Sequence, residues 1–120
     1  MSLYDDLGGA DAISAALDAF YVKVFADPRV SKYFEGVDMV QLKAHVGAFF
    51  AMALGGPSNY PGRDLRTAHE GPRAMGLDDA TVTVFLGHFQ EVLEEFGVDP
   101  ARVAEVMEIA NGARGEVLAR

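Results

Sequence analysis

The stretch that decides the fold runs from Phe49 to His69 and reads FFAMALGGPSNYPGRDLRTAH. It begins as the apolar end of a helix. The run Gly55-Gly56-Pro57 must stop that helix, because glycine is conformationally free and proline has no backbone N–H. After a loop we expect one short helical turn that presents His69 and ends at Gly71-Pro72. A histidine on so short a turn is held by few backbone hydrogen bonds, so a bound metal would fix its position.

The bulk composition limits the classes of protein to consider. The chain has 120 residues, half of them hydrophobic, and no cysteine. We expect one domain over residues 1–120, with a sizeable core and without disulfides or a thiolate metal site. The net charge of −8 argues against nucleic acid and anionic membranes as partners. No apolar run reaches the ~20 residues of a membrane span, and no signal peptide is visible, so a cytoplasmic location is expected.

Apolar residues recur with helical spacing along the chain, and no segment alternates as a strand does. We expect a short turn near Leu3, followed by longer helices that begin near Asp11, Asp38, either Asp78 or Asp79, and Asp99. Aspartate commonly caps helix N-termini, because its carboxylate accepts hydrogen bonds from the first free N–H groups. The helix after Asp78 has the cleanest inward-facing stripe, formed by Val82, Phe85, Leu86, Phe89, Leu93 and Phe96. The fold class is therefore all-α.

His69 is the first candidate for a functional residue, and the residues alone leave two interpretations open. It is either a surface histidine on a loop turn or an axial ligand to haem iron, since neutral imidazole is a common iron ligand. A flat hydrophobic cofactor would find many apolar partners, although the same side chains would also serve as ordinary core. These side chains are Phe34, Leu42, Val46, Phe49, Phe50, Leu54, Leu65, Phe85 and Phe89.

Two further side chains gain weight if His69 binds iron. His45 lies at the edge of the buried face of its helix and would otherwise be a structural histidine; from there a second imidazole could reach the same metal. Tyr21 would usually be a core tyrosine, but in a haem pocket its hydroxyl could donate to bound dioxygen. The third histidine, His88, lies off the apolar stripe of its helix and is expected to face solvent.

Other chemistries find no support in the sequence. A di-iron carboxylate bundle requires Glu-x-x-His pairs on two helices, and the chain has none. No His-Glu-x-x-His motif, phosphate-binding loop or dinucleotide fingerprint occurs. A metal or cofactor site in this chain therefore depends on the three histidines.

A series of motifs runs in order over essentially the whole chain. They are LYDDLGG from residue 3, FY at 20–21, DPRV at 27–30, YFEGVDM at 33–39, FF at 49–50, LGGP at 54–57, Tyr60 with Gly62-Arg63, and Ala68-His69. Together they resemble a truncated haemoglobin of group I, whose Gly-Gly pairs occur here at both expected breaks. The resemblance implies a shortened globin fold, a two-over-two helical sandwich with the haem between its layers.

The resemblance also implies roles for single residues. His69 matches the proximal iron ligand, Phe34 the phenylalanine that packs on the haem, and Tyr21 the distal tyrosine. The residues that match the distal lining of one helix are Leu42, His45 and Val46. The residues that match partners of the haem propionates are Tyr60 and Arg63, whose hydroxyl and cation suit carboxylates.

Three departures from the family pattern carry expectations. Many members have a glutamine in place of Val46 and some in place of Leu42, so Tyr21 lacks amide partners here and dioxygen should be released faster. His45 matches a position where some cyanobacterial members carry a histidine that binds the iron as a sixth ligand. The last helix, from Val103 to Arg120, has no histidine that could bond a haem vinyl group, so we expect haem b bound non-covalently.

The function that the resemblance implies is reversible binding of dioxygen at ferrous haem, with carbon monoxide and nitric oxide as further ligands. One alternative is an enzyme, either a nitric oxide dioxygenase or a peroxidase-like redox protein, which would depend on a separate reductase. Another is a gas-sensing domain. The sequence supplies no output module, which argues against the sensor.

Overall fold

The computed structural model describes residues 3–56 and 69–119, and within these ranges the chain forms helices and no strand, as predicted. The elements in chain order are α1 (Leu3–Asp6), α2 (Gly9–Phe25), α3 (Pro28–Ser31), a 3-10 turn (Lys32–Phe34), α4 (Met39–Ala53), α5 (Glu70–Ala74), α6 (Asp79–Glu95), α7 (Pro100–Gly112) and α8 (Arg114–Val117). None of the helices in the described ranges is both long enough and apolar enough to cross a membrane.

The long helices form two pairs. Helix α2 packs against α4, α6 packs against α7, and the two pairs meet where α2 crosses α6. Leu17 and Leu93, which are buried at that crossing, belong to the main core cluster. A second, smaller cluster surrounds Tyr21, Val24 and Val30 near the end of α2. This arrangement is the two-over-two sandwich that the motifs predict.

Aspartate side chains start the helices, as the sequence predicts. Asp38 accepts hydrogen bonds from the N–H groups of residues 40 and 41, at 3.1 and 3.2 Å. Asp78 and Asp99 accept bonds of 2.9 Å at the starts of α6 and α7. Helix α2 differs, because it begins at Gly9, two residues before the predicted start. Asp11 lies in its first turn instead, where a negative charge favours the helix dipole.

The double glycine after α4 has a steric cause. Gly55 adopts φ +87°, a conformation that favours glycine. Gly56 lies so close to the ring of Tyr4 that a Cβ atom there would overlap it. The backbone N–H of Tyr4 donates to the carbonyl of Leu54 at 3.0 Å, which fixes α1 against the end of α4. The Gly-Gly break therefore makes room for the N-terminal helix.

Two predicted details are wrong. The turn at His69 does not stop at Gly71-Pro72, because α5 begins at Glu70 and continues through both residues to Ala74. Proline fits there because the first N–H groups of a helix have no intrahelical partner. Phe96 was expected to face inward, but it is 49% exposed. It follows the last residue of α6, so the buried stripe ends at Leu93.

Candidate functional site

Tyr21 is the most buried polar side chain among the predicted site residues that the structure describes. It is 5% exposed, and its ring meets the edge of the Phe34 ring with the centroids 5.5 Å apart. Phe34 in turn lies 5.8 Å from Phe85 of α6. Burial raises the pKa of the Tyr21 phenol to about 12, because the charged form is disfavoured away from water. At neutral pH the hydroxyl is protonated, as it would be at the ordinary tyrosine pKa of about 10, and it can donate a hydrogen bond.

One face of α4 supplies the neighbouring wall. Leu42, His45, Val46 and Phe49 share this face, because residues three, four and seven apart lie on one side of a helix. All of them are half-buried. Leu42 packs against the Tyr21 cluster, whereas Val46 packs against the main core. The face is thus an apolar surface that carries one imidazole.

Aromatic rings from α2, α4 and α6 connect the two clusters. Phe50 stacks on Phe89, with centroids 5.0 Å apart and planes inclined by 24°. Phe20 lies 5.7 Å from Phe89 and 6.4 Å from Phe85, and so joins both groups of rings. Leu54 is 3% exposed and belongs to the main core with Tyr4. The structure therefore places Leu54 beneath α1 rather than beside Tyr21.

His69 occupies the position just before α5, where it is the N-terminal cap residue. It is half-buried, and its backbone carbonyl accepts a hydrogen bond of 2.9 Å from the N–H of Arg73. Three predicted site residues, Tyr60, Arg63 and Leu65, lie outside the described residues.

A groove of about 560 Å³ lies between α2 and α4, but it borders a different face of α4. Its α4 side includes Val40, Ala44, Gly47 and Ala51, which point away from the face of His45 when residues advance by about 100° each. Helix α4 therefore separates this groove from the side chains that the sequence predicts to bind a cofactor.

The structure contains a charged cluster around the buried carboxylate of Asp27, which the sequence reasoning did not predict. The Asp27 carboxylate is 8% exposed and lies 2.7 Å from Nη2 of Arg29 and 2.8 Å from Nε2 of His88. The side chain of His88 is only 16% exposed, so the prediction that it faces solvent is wrong. A signal was present in the sequence, because His88 lies three residues after Phe85 and four before the fully buried Val92. The cluster ties the corner between α2 and α3 to α6.

Comparison with known proteins identifies the family. The family model for bacterial-like globins matches residues 2–118. A group 1 truncated haemoglobin of Chlamydomonas moewusii is 40% identical over 117 residues, which make up 98% of this chain and 68% of that protein. The group 1 truncated haemoglobin GlbN of Mycolicibacterium paratuberculosis is 36% identical over an alignment that covers 97% of this chain and 89% of the relative.

Solved structures agree with the sequence relatives. The 2/2 haemoglobin of Synechococcus sp. PCC 7002, in the cyanomet state and with covalently attached haem, matches with a TM-score of 0.94 at 36% identity over the whole of both chains. The truncated haemoglobin of Tetrahymena pyriformis, in its Fe(III) form, matches with a TM-score of 0.89 at 33% identity over 98% of both chains.

The chain therefore belongs to the bacterial-like globins, and within that family it groups with the truncated haemoglobins of group 1. Membership makes it a haem-binding globin, and the resemblance read from the motifs is confirmed. The described side chains fit a haem. They offer the half-buried imidazoles of His45 and His69, the apolar face of α4, and a protonated phenol at Tyr21.

The Asp27 cluster generates a prediction about acid stability. Hydrogen bonds from Arg29, and then from His88, hold the pKa of the Asp27 carboxyl well below its usual range. Such a group stabilises the fold above its unfolded pKa of about 3.9 and loses that contribution as the pH falls toward the folded pKa. We expect Asp27→Asn to weaken the loss of stability between about pH 4 and about pH 2, measured as urea midpoints.

The control for this experiment is Glu35→Gln, which changes an exposed carboxyl group just after the 3-10 turn. It should leave the acid dependence as in the wild type. Equal loss of stability on acidification in the wild type and in Asp27→Asn would contradict the proposed role of the cluster.

Proposed function

We propose that this protein binds dioxygen, and other diatomic gases, reversibly at ferrous haem b with His69 as the proximal ligand. The observation that supports this most is the Tyr21 phenol, a hydrogen-bond donor that is buried among aromatic rings next to the half-buried face of α4. A donor held among apolar side chains suits a small ligand that accepts a hydrogen bond. We propose that residues 1–120 form a single truncated globin domain.

When bound, ferrous haem supplies an iron atom to which diatomic gases add. The protein residues then have separate tasks. The His69 imidazole, at the N-terminal cap of α5, would bind the iron. Neutral imidazole is the usual proximal ligand of globins. The Tyr21 hydroxyl donates a hydrogen bond toward the ligand. Leu42 and Val46 exclude water from the same side of the pocket, which slows loss of the ferrous state.

The residues proposed to line the haem pocket come from the corner after α3 and from α4 and α6. Phe34 packs on the cofactor from the corner after α3, and the α4 side chains cover one of its sides. The lining residues within the described ranges are Phe34, Leu42, His45, Val46, Phe49, Phe50, Leu54, Phe85 and Phe89. Tyr60, Arg63 and Leu65 are proposed to complete the site, the first two near the propionates.

The histidine count supports non-covalent attachment of the haem. The chain has three histidines and no cysteine. His88 is hydrogen-bonded to Asp27, and His45 and His69 are proposed for the iron. No histidine occurs between Val103 and Arg120 to bond a vinyl group. The Synechococcus relative is described with covalently attached haem, so the two proteins would differ in this respect.

The second candidate function is a redox enzyme, such as a nitric oxide dioxygenase or a peroxidase-like protein supplied by a separate reductase. The position of His45 favours it, because this imidazole lies on the α4 face between Leu42 and Phe49 and could occupy the sixth coordination site. The gas-binding proposal also includes carbon monoxide and nitric oxide as ligands. It further includes a cytoplasmic location.

Replacing His69 tests the proposal. We expect the wild type to bind haemin and to give an imidazole-ligated ferrous spectrum, whereas His69→Ala binds haemin weakly and loses that spectrum because the proximal nitrogen is gone. His88→Gln is the matched control, since it changes a half-buried histidine outside the proposed pocket. Equal uptake and an unchanged spectrum in a folded His69→Ala protein would refute the assignment.

Replacing His45 tests the sixth ligand. Without added ligands, we expect the ferric and ferrous wild type to show low-spin absorption bands, and His45→Ala to shift toward high spin because the second imidazole is lost. Absorption spectroscopy at neutral pH measures the change. A low-spin spectrum that persists in His45→Ala would rule out coordination by this residue.

Adding an amide at Val46 tests the ligand-stabilising role of the distal side. Val46→Gln supplies a second donor on the face of α4 that carries Leu42 and His45, and one hydrogen bond worth about 1 kcal/mol would slow dioxygen release about five-fold. Stopped-flow mixing measures the release rate. Val46→Leu, which changes shape without adding a donor, controls for packing. Release that is no slower in Val46→Gln than in Val46→Leu would count against the account.

A further inference from the structure

Helix α5 is poorly anchored by packing. It has five residues, from Glu70 to Ala74, all of them described, and each is half-buried or exposed. Isolated helices of this length are not stable in water, because the first turn is costly to form. His69 caps the N-terminus of α5, so the position of its backbone follows the position of this short helix.

Arg73 connects α5 to a distant part of the chain. Its backbone N–H donates to the carbonyl of His69 at 2.9 Å, which closes the first turn of the helix. Its side-chain Nη1 donates to the carbonyl of Val117 at 3.0 Å, across 44 residues of sequence. One residue is therefore hydrogen-bonded both to the backbone of His69 and to the end of α8.

The carbonyl of Val117 is well suited to accept this bond. Val117 is the last residue of α8, and the final carbonyls of a helix have no intrahelical donor. A guanidinium at a helix C-terminus also complements the negative end of the helix dipole. The hydrogen bond from Arg73 thus gives the Val117 carbonyl a donor that α8 itself does not supply, and it links α5 to α8.

Helix α8 is itself fixed to the body of the protein. Nη1 of Arg114, its first residue, donates to the backbone carbonyl of Asp79 at 2.9 Å, and Nη2 donates to Oγ1 of Thr83 at 3.2 Å. Both acceptors belong to the start of α6. The chain of contacts therefore runs from α6 through α8 to Arg73 and then to His69.

We propose that Arg73 is the positioning residue for the proximal histidine, and that its hydrogen bond to Val117 sets the orientation of the His69 imidazole. This inference rests on the proposed role of His69. Without the bond, α5 samples a wider range of positions, and the imidazole meets the iron with a less favourable and more variable geometry.

The test replaces the Arg73 side chain in the haem-loaded protein. Arg73→Met keeps an apolar stem but removes the donors. We expect the iron–histidine stretching band of the ferrous protein, measured by resonance Raman spectroscopy, to broaden and to move to lower frequency. Transfer of haemin to apomyoglobin should become several-fold faster. Arg73→Lys, which keeps the charge without the planar fork, should recover part of the shift.

The matched control is Arg102→Met. It removes an arginine of α7 that pairs with Asp6 and Glu105 and takes no part in the contacts between α6, α8 and α5. Circular dichroism verifies that each variant is folded. If Arg73→Met is not folded, the same band is compared between Arg73→Lys and the wild type. An unchanged band and haemin-loss rate in Arg73→Met, or an equal shift in Arg102→Met, would overturn the proposal.

Different results would refute the proximal role of His69 and the positioning role of Arg73. If the wild type lacks an iron–histidine band, or if His69→Ala keeps it, the proposed function fails. If the wild-type band is present and depends on His69 but does not respond to Arg73, only the positioning role fails.

Discussion

The contact between the rings of Tyr21 and Phe34 is the interaction on which the candidate site depends. It buries a phenol at the end of α2 and at the same time fixes the corner that follows α3. Burial raises the pKa of the phenol further above neutral pH, where tyrosine is a neutral hydrogen-bond donor. Phe85 of α6 closes the cluster from the second pair of helices. The same packing thus joins the two layers and holds the phenol in the cluster against which Leu42 of α4 packs.

The corner itself is held by charge as well as by packing. Asp27 accepts hydrogen bonds from the backbone and side chain of Arg29 and is also bonded to His88. A buried carboxylate is costly unless it is paired and hydrogen-bonded, and here both conditions are met. Val30, next to this cluster, is completely buried. The corner is therefore rigid on the side that carries Phe34, in contrast to α5, which packing leaves largely uncovered.

The sequence predicted much of this structure, for identifiable reasons. Aspartate caps at Asp38, Asp78 and Asp99 fixed the helix starts, because their hydrogen bonds are local and reach only two or three residues ahead. Family motifs supplied the two-over-two arrangement. The predicted roles of His69 and His45 rest on those motifs, since spacing alone fitted a surface histidine equally well.

The misses also have physical causes. The partner of His88 lies 61 residues away in sequence, and no local pattern reveals such a pair. The bond between Arg73 and Val117 spans 44 residues and ends on a backbone carbonyl, which carries no side-chain signature. Proline at position 72 was treated as a helix stop, although it is tolerated in a first turn. Polar contacts between residues far apart in sequence therefore could not be predicted from the sequence.

The most direct test of the central claim is the absorption spectrum of the purified chain after addition of one equivalent of haemin, recorded in the ferric and ferrous states and with carbon monoxide. We expect stoichiometric uptake and a ferrous carbon monoxide complex typical of an imidazole-ligated haem. A compactly folded protein that stays colourless and takes up no haemin would contradict it.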